Sequence, residues 1–416
     1  MELLTTIIIA AVAFLVVVLL LVAILLYAKA KLMPSGVVKI DINEGDKVIE
    51  ANPGGTLLST LAENGIFLPS ACGGGGSCGM CRVQVMEGGG EILPTEVNFF
   101  TRKQQKENWR LGCQVKVRED MKIDVEEAVL GVKKWECEVV SNNNVATFIK
   151  EFVVKLPEGE LLKFRSGGYI QIDIPKFDAI KFSDFDIDKE YHEDWDAMKM
   201  WGLVTKNPEP TYRAYSMANH PAEGNIIMLN IRIATPPWDR AAGGFMNVNP
   251  GICSSYIYSL KPGDKITISG PYGEFFVRDT PNEKMFIGGG AGMAPMRSHI
   301  FNLFHTEKTN KPVTFWYGAR SKREIFYEDQ FHAIEKDFPN FKFHIGLSEP
   351  KPEDNWTGAV GFIHNVIFEN YLKDHDAPED IEYYLCGPPM MTDAITKMLD
   401  NLGVPAENIM YDNFGS

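Results

Sequence analysis

Three cysteines lie within ten residues in the segment CGGGGSCGMC, residues 72–81, and a fourth, Cys113, follows further along the chain. Four thiolates suit either a zinc ion or a [2Fe–2S] cluster. Structural zinc sites usually take their cysteines as two C-x2-C pairs, whereas this segment has one such pair, Cys78 and Cys81. Three ligands on one loop with a distant fourth are typical of ferredoxins. The spacing therefore predicts a [2Fe–2S] cluster, with Cys72 as the first ligand.

The residues between these cysteines are mostly glycine. Without a Cβ, the N–H groups of the loop can approach and donate to the bridging sulfides of a cluster. The first spacing, C-x5-C, is one residue longer than the plant-type C-x4-C. This difference leaves the cluster type secure and the reduction potential open. A zinc site and unliganded thiols are the alternatives.

Two further motifs carry residues that suit a flavin. In RAYS, Arg213 can bind a pyrophosphate, Tyr215 a flat ring and Ser216 a ring nitrogen. Arg213 and Tyr215 share one face of an extended stretch, and Ser216 lies on the other face or at the edge. GICSSY, residues 251–256, offers a glycine and hydroxyls where a helix can begin, which suits phosphate. Each motif alone is weak, and a core tyrosine is the alternative for Tyr215.

A glycine-rich turn, GGGAGMAP, follows the strand-like KMFIGG. Such turns bind dinucleotide phosphates. The strict G-x-G-x-x-G is absent, because Gly288 and Gly290 fit but Met293 takes the place of the last glycine. A plain strand–helix turn is the alternative. Cys386 ends another buried strand, just before Gly387, at the edge of the sheet where ligands of α/β proteins bind.

Four segments must position these residues. We expect residues 1–35 to form a transmembrane helix and its linker, and residues 36–130 to form a ferredoxin-like unit of strands and a short helix. Residues 131–278 carry short alternating strands with turn signals, which predict an antiparallel barrel. Residues 279–416 alternate strands and helices, which predicts a doubly wound parallel sheet. The sequence thus predicts a multidomain protein of the α/β and α+β classes.

The run from Leu3 to Tyr27 has no charged residue. As a helix it would reach about 37 Å, enough for a hydrocarbon core of about 30 Å. A signal peptide is the alternative, but no positive residue precedes the run, and it exceeds the usual apolar length. Lys29 and Lys31 follow it, so we expect a single-pass helix with the later domains in the cytoplasm.

Composition narrows the functional classes. The formal net charge of −14 argues against nucleic-acid binding as the main function. Seven cysteines in 416 residues do not make a disulfide scaffold. A reducing compartment fits better, with thiols available for metal binding or redox chemistry.

RAYS, GICSS, GGGAGMAP and CGPPM, in this order, resemble the ferredoxin–NADP reductase superfamily. With the predicted membrane helix, the C-x5-C-x2-C segment and the C-terminal YDNFGS, the chain resembles the family of F subunits of the sodium-translocating NADH:quinone oxidoreductases along essentially its whole length. The resemblance implies a β-grasp ferredoxin domain, FAD, one [2Fe–2S] cluster and NADH as the electron donor. It also implies a place in the bacterial inner membrane, beside partner subunits that reduce quinone and move sodium.

The resemblance implies roles for individual residues, carried over by matching position. For FAD, Arg213, Tyr215 and Ser216 would hold the pyrophosphate, the ring and the N5 region. The residues implied for the FAD phosphates are Gly251, Cys253, Ser254 and Ser255, and those for the nucleotide turns are Gly288, Gly290, Gly292 and Gly387. Cys386 would lie beside the nicotinamide and Phe414 would shield the flavin. Ser216, Cys386 and Phe414 are therefore the candidate catalytic residues.

Electron counting orders the cofactors. NADH gives two electrons as hydride and the cluster accepts one, so the flavin must lie between them. The sequence does not decide between NADH and NADPH as the electron donor. Arg320, Lys322 and Arg323 follow a strand, at a position where side chains could bind the 2′-phosphate of NADPH. An acidic, aromatic insertion at 176–210 is either a solvated loop or a partner-docking surface. A reductase for a soluble oxygenase and a membrane-tethered redox sensor are the rival functions.

Overall fold

The computed structural model describes residues 2–32 and 36–412. They form two compact units, of which the first reaches Gly131 and the second begins at Val132. The short segment Ala71–Gly73 groups with the second unit. The predicted boundaries between the individual domains stay predictions.

The first unit begins with helix α1 (Glu2–Leu32). Within the part of the chain that the structure describes, no helix combines the length and the apolar character that crossing a membrane requires.

A mixed five-stranded sheet forms the body of the first unit. Its strands are β1 (Val38–Ile42), β2 (Lys47–Ala51), β3 (Arg82–Glu87), β4 (Trp109–Leu111) and β5 (Met121–Asp124), and its helices are α2 (Leu57–Glu63), α3 (Arg102–Lys106) and α4 (Glu127–Leu130). The strand order is β2-β1-β5-β3-β4, with β1 antiparallel to β2 and parallel to β5. Thr56 caps α2, because its Oγ1 accepts from Ser59 N–H at 3.1 Å and Ser59 Oγ accepts from Thr56 N–H.

The second unit opens with an antiparallel barrel and its insertions. The elements are β6 (Lys133–Ala146), β7 (Ile149–Lys155), β8 (Tyr169–Ile174), β9 (Phe177–Lys181), α5 (His192–Ala197), β10 (Val204–Asn207), β11 (Thr211–Ser216), β12 (Ile226–Arg232), β13 (Trp238–Asp239), β14 (Gly244–Phe245), α6 (Ile252–Ser259) and β15 (Lys265–Tyr272). Six strands pair in the order β11-β8-β15-β6-β7-β12. A bridge between Met217 and Leu229 links the two outer strands, so the sheet closes as predicted.

The insertion at 176–210 is folded against this barrel. Trp195 is fully buried and its Nε1–H donates to the carbonyl of Thr147 at 2.8 Å. The ammonium of Lys150 donates to the carbonyl of Asp186 at 2.6 Å. The insertion is therefore part of the packed core of the barrel, and the expectation of a solvated loop is wrong.

A parallel six-stranded sheet completes the second unit. The elements are β16 (Lys284–Gly289), α7 (Met293–Phe301), β17 (Val313–Ala319), α8 (Glu328–Asp337), β18 (Phe341–Leu347), β19 (Ala359–Val360), α9 (Ile363–Asn370), β20 (Glu382–Cys386), α10 (Pro389–Asn401) and β21 (Ile409–Tyr411). The order is β19-β18-β17-β16-β20-β21. Phe286 packs into one core and Met285 and Ile287 into another, on the opposite face. Helices thus cover both faces, as predicted, and β16 is buried along its whole length.

Candidate functional site

Two of the four candidate metal ligands meet in the first unit. Cys81 and Cys113 are buried, and a hydrogen bond between their thiols, together with burial, raises the pKa of Cys81. Cys78 is near enough for its charge to act on Cys81. The side-chain amide of Gln114 donates to the sulfur of Cys113 at 3.6 Å. An amide N–H that donates in this way stabilises a metal-bound thiolate. Cys72 is half-buried, and its role as a ligand stays a prediction.

The loop between these cysteines has the conformation that its glycines permit. Four of them, Gly73, Gly74, Gly76 and Gly79, have left-handed φ values between 66° and 88°. Side chains at these positions would be strained, so the backbone can fold closely around a bound group.

Among the described residues, no group of three or more His, Cys, Asp or Glu side chains converges as a site for a metal ion.

In the second unit, a cavity of about 850 Å³ lies between the barrel and the parallel sheet. Arg213, Tyr215 and Ser216 of β11 all line it. The guanidinium of Arg213 donates to the carbonyl of Tyr212 at 2.8 Å, which holds it beside its own strand. Burial raises the pKa of Tyr215, so its hydroxyl stays protonated and the ring presents a neutral face. Ser216 is the last residue of β11, which lets it share the cavity with the other two.

The beginning of helix α6 forms a second part of the wall. Gly251, Cys253 and Ser254 line the cavity there, and the Ser254 hydroxyl accepts from Ala234 N–H at 3.1 Å. Ser255 is placed differently. It is fully buried, and its hydroxyl donates to the carbonyl of Gly251 at 2.7 Å. We therefore expect Ser255 to stabilise the first turn of α6, while its neighbours face the ligand.

The glycine turn after β16 forms a third part of the wall, with Gly290, Gly292 and, from the next strand along the sheet, Gly387. A Cβ on Gly292 would overlap the carbonyl oxygen of Cys386, so only glycine lets this turn approach β20. Gly288 does not line the cavity. A Cβ at this position would lie 3.2 Å from the ring of Phe315. The role of Gly288 in nucleotide binding stays a prediction.

The candidate catalytic residues fall into three situations. Ser216 lines the cavity. Cys386 is fully buried just behind Gly387 and is not itself among the described lining residues. Phe414 lies outside the described residues. A catalytic role for each stays a prediction.

Asp412 is a site residue that the sequence analysis missed. Its Oδ2 accepts a hydrogen bond from Ser216 Oγ at 2.5 Å. Burial raises the pKa of Asp412 to about 6, and its charge adds to the burial that raises the pKa of Cys386. Asp412 thus contacts Ser216 and lies near enough to Cys386 for its charge to act on that thiol. Its position in YDNFGS, two residues before Phe414, was the available signal.

Asn230 and Arg232 on β12 also line the cavity and were missed. Asn230 is buried, and its amide donates to the hydroxyl of Tyr327 at 2.8 Å. That hydroxyl donates in turn to Glu151 Oε2 at 2.5 Å. The sequence offered a signal for both residues. They are polar, two positions apart, and lie inside the apolar stretch IIMLNIRI.

The cavity fits a dinucleotide and a flavin. Its volume is in the range of cofactor sites, and the beginnings of α6 and α7 both border it, where N–H groups and the helix dipole favour phosphate. An arginine and a tyrosine lie on the same wall. FAD and the nicotinamide end of NADH would therefore meet in one cavity.

Three family matches cover the same regions. Residues 40–118 match the 2Fe-2S iron-sulfur cluster binding domain, residues 202–277 the oxidoreductase FAD-binding domain, and residues 286–397 the oxidoreductase NAD-binding domain. The chain is similar over nearly its full length to curated proteins named as the F subunit of the Na(+)-translocating NADH-quinone reductase. That of Methylococcus capsulatus is 58% identical over 392 residues, which is 94% of this chain and 95% of that protein. That of Klebsiella pneumoniae is 57% identical over 393 residues, with the same coverage.

Solved structures support the fold alone. The Amycolatopsis cytochrome P450 reductase GcoB has a TM-score of 0.62 at 20% identity, and covers 91% of this chain and 98% of its own. The ferredoxin reductase in carbazole 1,9a-dioxygenase has a TM-score of 0.57 at 24% identity, with the same coverage. These likenesses place the three sheets in a ferredoxin-reductase-like architecture.

Proposed function

The chain belongs to the family of F subunits of the Na(+)-translocating NADH-quinone reductases, and we propose that it is the NADH-oxidising subunit of such a complex. Hydride from NADH passes to FAD, and single electrons pass on through a [2Fe–2S] cluster to partner subunits that reduce quinone. The observation that carries this proposal is that one cavity of the second unit has strand β11, with its flavin-type residues, on one wall and the glycine turn after β16 on another.

The bound groups would supply the redox chemistry: a flavin takes two electrons together and gives them up singly, and the cluster takes one. The residues of the chain position them. Arg213 and the beginning of α6 would neutralise the FAD phosphates, and Tyr215 would cover the ring. Gly290 and Gly292 would bring the NADH pyrophosphate to the beginning of α7.

Ser216 and Asp412 would control one proton in this site. The Ser216 hydroxyl donates a hydrogen bond to Asp412 Oδ2, so with Asp412 ionised the Ser216 oxygen would act towards a bound group only as an acceptor. When Asp412 is protonated, Ser216 is released to donate. We propose that this pair orients Ser216 towards the flavin.

In the first unit, Cys72, Cys78, Cys81 and Cys113 would hold the cluster. The amide of Gln114 and the loop N–H groups would stabilise its negative charge. The boundaries 36–130, 131–278 and 279–416 are our proposal for the three cofactor domains.

We propose that α1 anchors the chain in the bacterial inner membrane as a single-pass helix, with the cofactor domains on the cytoplasmic side. The uncharged run from Leu3 to Tyr27 supports this, as do its exposed side chains: Phe14 is 72% exposed and Leu19 58% exposed. One helix with no interior charge cannot form an ion path, so sodium movement would belong to the partner subunits. Deleting residues 1–32 should release the chain from membranes while FAD and iron stay bound. Continued membrane association would contradict this anchor.

Assays on the full chain and on the assembled complex test the proposed function. The full chain with FAD should oxidise NADH steadily with ferricyanide, and the complex should reduce quinone in a sodium-dependent way. A redox sensor would be reduced once and not turn over. An oxygenase reductase would reduce a soluble acceptor protein and would not support quinone reduction in the complex. Either of these two results would contradict the proposed function.

A further inference from the structure

The loop that follows β17, residues 320–324, lies where α/β dinucleotide domains read the adenosine ribose. In the proposed function the turn after β16 would hold the pyrophosphate, and β17 is a parallel neighbour of β16. In this architecture an acidic residue near this point binds the 2′-hydroxyl of NAD, or an arginine binds the 2′-phosphate of NADP. Arg320, Lys322 and Arg323 could serve a phosphate, so their surroundings decide the preference.

Both arginines are held by carboxylates. Arg323 Nη1 lies 2.9 Å from Asp194 Oδ2, and the two side chains are 30% and 27% exposed. Arg320 Nη2 lies 3.4 Å from Glu324 Oε1. Glu324 is itself fixed, because its Oε1 accepts from Thr147 Oγ1 at 2.5 Å.

A third carboxylate, Asp354, lies beside Lys322. Its Oδ2 accepts from the backbone N–H of Lys351 at 2.9 Å and of Lys322 at 3.2 Å, and these hydrogen bonds, with the charges of both lysines, lower the pKa of Asp354. Tyr191 adds a hydroxyl near Arg323 and Glu324. Both arginines of the loop are thus engaged by carboxylates, and a third carboxylate lies beside Lys322, so a dianionic phosphate would meet acidic groups there.

Asp194 comes from the insertion at 176–210, far from this loop in sequence. The insertion is packed against the barrel through Trp195, the next residue. Asp194 is therefore held in place towards Arg323 by a buried neighbour. This contact gives the insertion a role that neither a solvated loop nor a partner-docking surface describes.

We infer that Asp194, Glu324 and Asp354 set the preference for NADH over NADPH, because Asp194 and Glu324 pair with the arginines of the 320–324 loop and all three carboxylates repel a 2′-phosphate. This inference rests on the proposed function, because it concerns the same nucleotide site. It assigns coenzyme discrimination to a pairing between the insertion and the nucleotide-binding sheet.

The test compares coenzyme preference in the full chain loaded with FAD, with ferricyanide as acceptor. Asp194→Asn should raise the ratio of kcat/KM for NADPH to that for NADH about tenfold, since it frees an arginine that can bind phosphate bidentately. Glu324→Gln and Asp354→Asn should raise it further in combination. Asp184→Asn removes the same charge from an exposed position of the insertion and should leave the ratio unchanged. Adding Arg323→Ala to Asp194→Asn should return the ratio to its original value.

Binding of adenosine 2′,5′-bisphosphate and of 5′-AMP, measured by calorimetry, separates this inference from the proposed function because it needs no turnover. Asp194→Asn should strengthen binding of the bisphosphate alone. A ratio and a bisphosphate affinity within twofold of the parent would overturn the inference, even if NADH oxidation is normal. If the combined variant loses its flavin, the single Asp194→Asn variant decides the matter.

Discussion

In the cysteine loop, single side chains supply the ligands and the glycines between them leave space. In the cavity of the second unit, strand β11, the beginnings of two helices and two glycine turns each supply a part of the wall. The loop therefore depends on individual thiolates that no neighbour can replace. The cavity depends on backbone placement, and most of its side chains share their task with others. The two regions should respond differently to substitution.

Cys78→Ala should have the largest effect on function. Residues 73–76 are all glycine and offer no ligand, and the Ser77 hydroxyl offers an oxygen and not a thiolate. The cluster should therefore fail to assemble. Quinone reduction by the complex should be lost, together with the paramagnetic resonance signal of the reduced cluster. NADH oxidation with ferricyanide should stay within about twofold, since the cavity has its own core in the second unit.

A matched control is Cys137→Ala, which removes a buried cysteine from the core of the barrel. It should keep the iron content and quinone reduction and cost only about 1 kcal/mol in stability. Quinone reduction by a Cys78→Ala preparation shown to lack iron would mean that electrons leave the flavin by another route.

Gly292→Ala tests the opposite region and should have the next largest effect. Its Cβ would overlap the carbonyl oxygen of Cys386, so the turn after β16 must move away from β20. We expect kcat/KM for NADH to fall about 100-fold or more, because a shift of about 1 Å at a positioning element can cost that much. Stopped-flow reduction of the bound flavin by NADH measures this directly.

Gly202→Ala is the control for this change, because no atom lies within 4 Å of the added Cβ. It should leave the rate of flavin reduction within about twofold. Equal effects of the two substitutions would show that the approach of this turn to β20 does not limit NADH binding.

The two regions also differ in how far the sequence could predict them. The cysteine ligands lie within ten residues apart from Cys113, so their spacing alone indicated a cluster. The three sheets followed from local patterns: alternation for the barrel, and buried runs ending in glycine for the parallel sheet. The wall of the cavity brings together segments from β11 to the turn after β20, and nothing in the spacing brings Asp412 beside Ser216. Only the parallel pairing of β20 and β21 places it there.

The same limit applies to Ser255 and to the insertion. GICSSY predicted hydroxyls facing a phosphate, but helical geometry turns Ser255 back towards Gly251 and away from the cavity. The acidic residues of the insertion suggested a solvated surface. The aromatic residues between them, above all Trp195, bury their rings in the barrel and fix the segment.

Asp412→Asn should have an intermediate effect that depends on pH. The pKa of Asp412 is raised from an ordinary value of 3.8 to about 6. Because the folded pKa is the higher one, the protonated carboxyl favours the fold below about pH 4, and this contribution is lost as pH rises through 6. This difference between the unfolded and folded pKa of Asp412 corresponds to at most about 3 kcal/mol in the free energy of unfolding. The thermal midpoint of Asp412→Asn should therefore rise relative to the parent between pH 4 and pH 7.

Ser216→Ala sharpens this test. The hydrogen bond from Ser216 lowers the pKa of Asp412 and so partly offsets the effect of burial. Without it, the inflection in the stability difference should move above pH 6. A parent and an Asp412→Asn variant with parallel pH profiles would show that this carboxyl is solvated in the folded protein.

Tyr327→Phe should have the smallest effect, because it touches the cavity only through Asn230. The Tyr327 hydroxyl accepts from the Asn230 amide and donates to Glu151, so its removal leaves one donor and one acceptor without this partner. We expect a loss of about 1–3 kcal/mol in the free energy of unfolding. KM for NADH should change less than about threefold, since Asn230 keeps its place on β12.

Tyr411→Phe is the matched control for Tyr327→Phe, since Tyr411 is 62% exposed, and it should change stability by less than about 0.5 kcal/mol. Thermal unfolding of both variants, with flavin fluorescence as the probe of the second unit, measures the difference. A large rise in KM with unchanged stability would mean that Asn230 contacts NADH in a position that only Tyr327 secures. The cavity would then depend on a single side chain in the way the cysteine loop does.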